Sequence, residues 1–375
     1  MDLYAVPFLV AAPTGKGRMG FPLKQLSIEP KWQVRLWVEG PAPVGLGATM
    51  SRRPRIKFDL PVAHYHVMTR TAQQAFYLSD RYVKGFKGQC RDIIESMADI
   101  FYVKILAWVL MDNHYHLCLE VRHPPLDPKD LQARYERLQK LLATKRPWRE
   151  AYAEKCYERF TDLSRFMAEI NARMARAFNK ANDTSGHMWG GRFKSKVIEN
   201  EQSLMRVMTY IEQNPVRAGL CERPSDYEWC SAGQYRRLQD ANRAVSPPEV
   251  GFLRQIDQED RARSYVAWMD HQAMRILHPE KQVPSDQTGI AAHCLNEEAL
   301  TEWREDFAAK RPVDWRSQAY GSDAFHEQIR QAVELRQLIL GRANHESSAR
   351  KRSRSKSPPK TKGSRRDQGD AAREK

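Results

Sequence analysis

The chain is 375 residues long and carries a formal net charge of +15. That length can bury the core of one catalytic domain with additions, since domains commonly run to roughly 100 to 200 residues. The charge favours a polyanionic partner, but residues 344–375 contribute +7 of it, which leaves +8 for the body. The six cysteines lie far apart without a C-x-x-C pair, which excludes a zinc cluster or a disulfide framework and favours a reducing cytoplasm. No run approaches the roughly 18 apolar residues of a membrane helix, so we expect no membrane partner.

Both ends of the chain have compositions that argue against a packed core. Residues 1–49 are rich in Gly and Pro with little periodicity, which predicts an irregular N-terminal extension. Met50 opens a basic segment, and we hypothesise that native translation begins there, which intact-mass measurement would test. Beyond Gly341 the Arg, Ser, Lys and Pro content cannot offset the entropy of ordering, so residues 341–375 are predicted to be a disordered basic tail.

Between these ends, the spacing of apolar residues predicts alternating strands and helices. The expected strands are His64–Arg70, Ile105–Met111, His114–Val121 and Arg192–Ile198. The middle pair forms a hairpin through Asp112 and Asn113, which tolerate the positive φ of a tight turn. The expected helices are Asp80–Ser96, Leu163–Ala181 with Asp162 as its cap, and Glu201–Gln213, which Asn214-Pro215 ends. This order predicts an α+β fold with an antiparallel sheet and packed helices.

The same patterns divide the chain into segments. We expect a central domain over residues 50–235 that contains a polar insertion at 122–160. Residues 236–340 are predicted to be a helical C-terminal addition, with helical signals at Leu295–Ala309 and Ala324–Leu340.

A pair of histidines in the second hairpin strand is the first chemical signal. Because side chains alternate along a strand, His114 and His116 leave it on one face, where both imidazoles can reach one divalent cation, while Tyr115 points into the core. The first strand has the same spacing in His64-Tyr65-His66, but without the Asp-Asn turn. Spacing alone therefore does not distinguish a metal site from histidines on a polar face.

Several further segments follow in a fixed order along the chain. They are Tyr65–Arg70, Val109–Leu117, Phe178-Asn179, Gly186–Lys194, Tyr210–Leu220 and Asp226–Trp229. Together they resemble the motifs of the REP-associated tyrosine transposases, a family of insertion sequence 200-like transposases among the single-tyrosine HUH (His-hydrophobic-His) endonucleases. The resemblance covers roughly residues 50–235, and it departs from the family at Cys230, where a small residue is usual.

The resemblance implies a ferredoxin-like HUH nuclease fold and a metal-dependent endonuclease and strand transferase active in DNA transposition. Tyr210 would be the nucleophile, and Asn214 would join His114 and His116 as the third ligand of Mg²⁺ or Mn²⁺, with the imidazoles favouring Mn²⁺. Tyr210 and Asn214 are four residues apart and share a helix face. Pro215 disfavours helical geometry at Asn214, so Gln213 is the alternative ligand. The alternative for Tyr210 is an aromatic side chain packed on the sheet.

The resemblance also implies a single-stranded or hairpin DNA substrate, cut through a 5′-phosphotyrosine intermediate that leaves a free 3′-OH. Candidate DNA-binding residues are Arg70, His187, Trp189, Arg192, Lys194 and Arg217. The loop Gly186–Lys194 is equally compatible with a β-loop whose Trp189 caps the core. A catalytically silent DNA-binding protein is the alternative function, and an RNA-binding protein would explain the charge but not the central motifs. Relatives act as monomers or dimers, so a homodimer stays open.

Overall fold

The computed structural model describes residues 60–241, 247–277 and 319–331. The expected N-terminal extension, the helical segment at 295–309 and the basic tail lie outside these ranges. Of the helix expected at 324–340, the structure describes the part up to residue 331, and residues 323–331 are helical. Among the described residues, no helix combines the length and the apolar character needed to cross a membrane.

Five strands of the described residues form one sheet, in the order β2-β3-β1-β4-β5. Their bounds are β1 (Val62–Arg70), β2 (Val103–Leu110), β3 (His114–Arg122), β4 (Lys194–Ile198) and β5 (Ala319–Tyr320). The pairs β2–β3, β3–β1 and β1–β4 are antiparallel, whereas β4–β5 is parallel. The prediction of an antiparallel sheet is therefore wrong at this edge, because a two-residue strand is too short to produce an alternating pattern in the sequence.

The helices lie between and after these strands, as an α+β fold requires, and that prediction is confirmed. Besides the helical residues 323–331, the α-helices of the described ranges are α1 (Phe86–Ala98), α2 (Pro128–Leu141), α3 (Ala153–Phe160), α4 (Leu163–Ala181), α5 (Glu201–Glu212), α6 (Asn214–Arg217), α7 (Ser231–Asp240) and α8 (Gln258–Leu277). Helices α2 and α3 occupy the segment predicted as an insertion.

The two faces of the sheet pack against different helices. On one face Tyr115 is fully buried, and its hydroxyl donates to Asn171 Oδ1 of α4 at 2.6 Å. On the other face Val109 and Cys118 share a core with Met208 and Ile211 of α5. Because side chains alternate along β3, His114 and His116 belong to the face that α5 covers.

Helices α4 and α5 begin where the sequence predicts them. The Asp162 carboxylate accepts from the Arg165 backbone N–H at 2.9 Å, and Asn200 Oδ1 accepts from the Ser203 N–H at 2.9 Å. Each cap satisfies one of the N–H groups that have no partner within the first turn. Apolar residues spaced three to four apart then bury one face of each helix.

Helix α1 starts later than predicted. It begins at Phe86, six residues after Asp80, because Gly85 has a φ of 72° and ends the preceding turn in the left-handed region. The expectation that Asp80 caps this helix is therefore wrong: the cap position is Gly85, and Asp80 Oδ1 accepts from the Gly85 N–H at 3.0 Å in the preceding turn.

The hairpin between β2 and β3 is present, but its turn differs from the expected one. Neither Asp112 nor Asn113 has a positive φ. Instead, the preceding loop binds the turn: the Leu78 N–H donates to the Asp112 carbonyl at 2.9 Å, and the Thr71 N–H donates to the Asn113 carbonyl at 2.9 Å. The Lys87 ammonium adds a bond to Asp112 Oδ1 at 2.6 Å. Hydrogen bonds from residues outside the hairpin therefore stabilise a turn that contains no left-handed residue.

Helix α7 was not predicted, and α8 lies within the predicted helical addition at a position where no helix had been located; both pack beside α5. The buried side of α8 carries Tyr265, Trp268 and Met269, but also the buried polar residues Arg261 and Gln272. Polar residues in the buried stripe obscure the helical period in the sequence. The Arg261 guanidinium is paired there, with the Leu253 and Ile256 carbonyls among its acceptors.

Candidate metal centre and tyrosine site

Strand pairing brings the histidines of β1 and β3 onto one surface. In the register of these strands, Arg70 lies opposite His114, Met68 opposite His116, and His66 opposite Cys118. Residues directly opposite each other in a pair project from the same face, so both histidine motifs contribute to the surface beneath α5.

His66, from the His-Tyr-His motif of β1, also belongs to this site. The spacing of the two motifs in the sequence is identical and did not show this. His66 Nε2 and His116 Nδ1 lie 2.9 Å apart, and the ring centroids are 5.0 Å apart. On its other side, His66 Nδ1 lies 3.1 Å from the Tyr320 hydroxyl of β5. His64, by contrast, pairs with the Glu120 carboxylate at 3.3 Å. Sequence reasoning missed His66 because its role depends on β1 lying next to β3.

His114 has a defined tautomer. Its Nδ1 lies 2.6 Å from Asn113 Oδ1, and an amide oxygen can only accept, so Nδ1 carries the proton. The lone pair of the neutral ring therefore lies on Nε2. The ring centroids of His114 and His116 are 5.1 Å apart and nearly perpendicular.

The environment keeps all three imidazoles neutral. Burial, with a smaller effect of the Lys196 ammonium, lowers the pKa of His66 to about 3. Burial and then Arg70 lower the pKa of His114 to about 4. Burial, followed by His66, His114 and Arg70, holds the pKa of His116 well below its usual range. A neutral imidazole is the form that can bind a metal, so these three side chains are in a protonation state compatible with a ligand role.

Tyr210 lies in the last turn of α5 beside these rings. Its ring centroid is 5.8 Å from that of His116 and 5.9 Å from that of His66, in edge-on arrangements. The Arg217 guanidinium of α6 stands 5.7 Å from the Tyr210 centroid. The tyrosine is partly buried, whereas Arg217 is exposed to solvent. The structure therefore brings Tyr210 next to His116, one of the two predicted metal-binding histidines, and His116 in turn contacts His114.

Asn214 and Gln213 diverge where α5 gives way to α6. Asn214 is the first residue of α6, and its Nδ2 donates to the Tyr210 carbonyl at 2.8 Å and the Ile211 carbonyl at 3.1 Å. Gln213 is buried, and its Nε2 donates to the Met269 carbonyl of α8 at 2.7 Å. Both side chains donate through the amide nitrogen, so each keeps an oxygen that could bind a metal. Among the described residues, Gln213 Oε1 is one of the buried side-chain atoms without a hydrogen-bond partner.

The expectation that Pro215 removes Asn214 from a helix is wrong. Pro215 is the second residue of α6, a position where a missing N–H costs no intrahelical bond. The interruption falls one residue earlier, at Gln213, whose φ and ψ are −80° and −4°.

The predicted DNA-binding residues occupy different places. Lys194 of β4 lies opposite Met68 and shares the histidine face, as does Arg70 at its rim. His187 and Arg192 are exposed in the loop before β4. Trp189 is on the opposite side: its ring packs edge-on against Tyr115 at 5.6 Å, and its Nε1–H donates to the Asn171 carbonyl at 2.8 Å. The structure does not bring Trp189 to the histidines.

Two further residues at the site were not predicted. Lys196, opposite His66 in β4, is 3% exposed, and its ammonium lies 4.6 Å from the centroid of the Tyr320 ring. Strand alternation from Lys194 would have found Lys196, whereas nothing in the local sequence identifies Tyr320.

The available ligand atoms suit a hard or borderline divalent cation. Within the described ranges, no three His, Cys, Asp or Glu side chains are placed to hold a metal. A three-residue set that includes His114 and His116 would therefore need an amide oxygen, for which Asn214 and Gln213 are the candidates. Two imidazoles and one amide oxygen fit Mn²⁺ or Mg²⁺ rather than a soft thiolate-binding metal.

Comparisons with known proteins do not show a family for this chain. No family model and no curated protein matches it. Among solved structures, it is similar to a REP-associated tyrosine transposase bound to a REP hairpin, with 18% sequence identity and a TM-score of 0.33. The similarity covers 50% of this chain and 86% of that chain. The assignment of function therefore depends on the residues of the site.

Proposed function

We propose that this protein is a metal-dependent DNA endonuclease and strand transferase of the REP-associated tyrosine transposase type, with the ferredoxin-like HUH nuclease fold. The observation that carries the proposal is the position of Tyr210, whose ring meets the ring of His116 edge-on on the face that His114 shares. The motif order in the sequence supports the same assignment.

In this proposal His114, His116 and Asn214 hold Mg²⁺ or Mn²⁺. When bound, the cation stabilises negative charge on the phosphate that is attacked. The Tyr210 oxygen bonds to phosphorus and loses its proton, while the bond from phosphorus to the 3′ oxygen breaks and that oxygen gains a proton. The products are a 5′-phosphotyrosine and a free 3′-OH, which can reverse the step and join a new strand.

The cations around the site suit a nucleic-acid backbone. Arg70 and Lys194 lie on the histidine face, and Arg217 lies over the Tyr210 ring. Lys and Arg neutralise phosphates irrespective of base sequence, so these residues would hold the strand rather than read it. We propose single-stranded or hairpin DNA as the substrate.

The test is to incubate the protein with Mn²⁺ and labelled single-stranded hairpin DNA and to look for a covalent adduct on a denaturing gel. We expect an adduct with the native protein, none with Y210F or in excess EDTA, and an undiminished adduct with Y82F. Tyr82 is a matched control because it is exposed and packs on Phe178, in the α4 layer.

An adduct that persists in Y210F would refute Tyr210 as the nucleophile. Hairpin binding by the native protein without any adduct would instead support a catalytically silent DNA-binding protein. H114A should abolish cleavage while DNA binding persists, because the imidazole serves the metal and the cations hold the strand.

A further inference from the structure

We infer that His66 is a positioning residue that fixes the tautomer of His116, so that the lone pair of His116 lies on Nε2 and is directed to the metal. This inference rests on the metal site proposed above. It gives a role to His66, one of the two histidines of β1, to which the proposed function assigns none.

The contact itself is short and enclosed. His66 is 0% exposed and His116 is 2% exposed, and the 2.9 Å between Nε2 and Nδ1 is a hydrogen-bonding distance. Two neutral ring nitrogens at this distance share one proton, since two protons would clash and two lone pairs would repel. The position of that proton decides which nitrogen of His116 carries its lone pair.

Two arrangements of protons satisfy the contact. If His66 donates, the proton of neutral His116 lies on Nε2 and blocks a metal there. If His116 donates from Nδ1, its lone pair lies on Nε2, and His66 carries its own proton on Nδ1, toward the Tyr320 hydroxyl at 3.1 Å. Metal-binding histidines usually donate their second N–H to an acceptor that orients the ring and raises its basicity. The second arrangement provides this acceptor.

Three strands hold the acceptor in place. His66 lies opposite Cys118, so its side chain reaches diagonally across β3 to His116. From the other side, β5 pairs with β4 and brings Tyr320 to His66, with the two rings stacked at 5.8 Å. The Lys196 ammonium lies against the Tyr320 ring. His66 is thus enclosed on both sides and is not a side chain that happens to face the site.

The same strand offers a matched control. His64 is two residues away on the same face, but its Nε2 pairs with the Glu120 carboxylate and not with a metal-binding histidine. If loss of any β1 imidazole weakens Mn²⁺ binding, substitutions of His64 and of His66 should both do so. If the effect depends on the contact with His116, only substitution of His66 should weaken binding.

The experiment measures Mn²⁺ affinity by electron paramagnetic resonance in the absence of DNA, and histidine tautomers by long-range ¹⁵N–¹H NMR of the metal-free full chain. We expect native His116 to be protonated on Nδ1. H66F should weaken Mn²⁺ binding by about ten- to a hundredfold, the usual effect of losing such a partner. H66Q retains an acceptor oxygen near the Nε2 position and should recover most of the affinity, and H64F should leave it unchanged.

Y320F provides a second, milder perturbation. It removes the hydroxyl that accepts from His66, and we expect a mixture of His116 tautomers with a smaller loss of Mn²⁺ affinity. Circular dichroism and thermal unfolding of each variant identify those that fold. An unfolded H66F leaves Y320F and H66Q to decide the question, through the tautomer of His116.

The inference is overturned if native His116 carries its proton on Nε2, if folded H66F binds Mn²⁺ as the native protein does, or if folded H66Q is as weak as H66F. Failure of the native protein to bind Mn²⁺ would count against the proposed metal-dependent function instead. The NMR measurement would still test the His66 contact in that case, so the two failures are distinguishable.

Discussion

Replacing Glu212 with glutamine should change how the stability of the protein depends on pH. Glu212 is the residue before the α5–α6 interruption, and its side chain is fully buried. Its Oε1 accepts from the Tyr265 hydroxyl of α8 at 2.7 Å, and its Oε2 accepts from the Ala232 N–H near the start of α7 at 3.2 Å. Burial outweighs these bonds and raises the pKa of the carboxyl from 4.5 to about 7.

The direction of this pH dependence follows from the number of protons that the folded and unfolded states bind. Below pH 4.5 both the folded and the unfolded chain carry this proton, and above about pH 7 neither does. Between these values the folded state binds more protons, so its stability falls as the pH rises. A pKa change from 4.5 to about 7 corresponds to about 3 kcal/mol, at 1.36 kcal/mol per pH unit.

In E212Q this slope should be absent, because an amide does not titrate. The variant should also lose about 1–3 kcal/mol at pH 5 if its NH₂ group meets the Ala232 N–H, since two donors then face each other. The difference between E212Q and the native protein should therefore shrink as the pH rises from 5 to 8.

The assay is urea unfolding followed by far-UV circular dichroism at pH 5, 6, 7 and 8 in EDTA. E201Q is the matched control, because Glu201 lies in the same helix but is exposed to solvent. We expect its curve to run parallel to that of the native protein. Parallel curves for E212Q and the native protein would refute the buried, protonated carboxyl.

Three further predictions concern the two faces of the sheet. K194A should weaken single-stranded DNA binding and reduce the salt slope of log K by about 0.7, as measured by fluorescence anisotropy from 50 to 300 mM salt; an unchanged slope would remove Lys194 from the phosphate contacts. W189F should lower the free energy of unfolding by about 1 kcal/mol and leave Mn²⁺ affinity unchanged, because the indole packs on Tyr115 across the sheet from the histidines. K87M should lower the free energy of unfolding by about 1–3 kcal/mol in urea titrations, because the buried Lys87 binds Asp112 and the Tyr227 hydroxyl. A loss near zero would contradict the role of Lys87 in the hairpin turn.

The elements with strong local signals were predictable from the sequence. Helix α4 has a capping Asp162 and an unbroken apolar stripe, and its bounds agree with the expectation. Helix α8 was not located within the predicted helical addition because buried Arg261 and Gln272 interrupt its apolar face. The Arg261 guanidinium is paired with carbonyls of the segment just before the helix, which the helical period does not reveal. The start of α1 depended on the conformation of Gly85, which the composition of the segment does not reveal.

At the site, strand alternation was sufficient to group His114 with His116. Placing His66 beside them required the register between β1 and β3, which is a tertiary property. The backbone geometry at Asn214 and Gln213 likewise depended on where the helix resumes, one residue before Pro215. The local sequence pattern thus identified His114 and His116, whereas the pairing of distant strands determined which residues lie next to them.

The bond between His66 and Tyr320 joins residues 254 positions apart. During synthesis β1 leaves the ribosome early, whereas its β5 contact does not exist until that whole interval has been translated. Closing so long a loop costs chain entropy before any contact repays it. We therefore expect His66 to acquire its outer neighbour as a late event in folding, so in a nascent chain His66 is without the Tyr320 hydroxyl for most of translation.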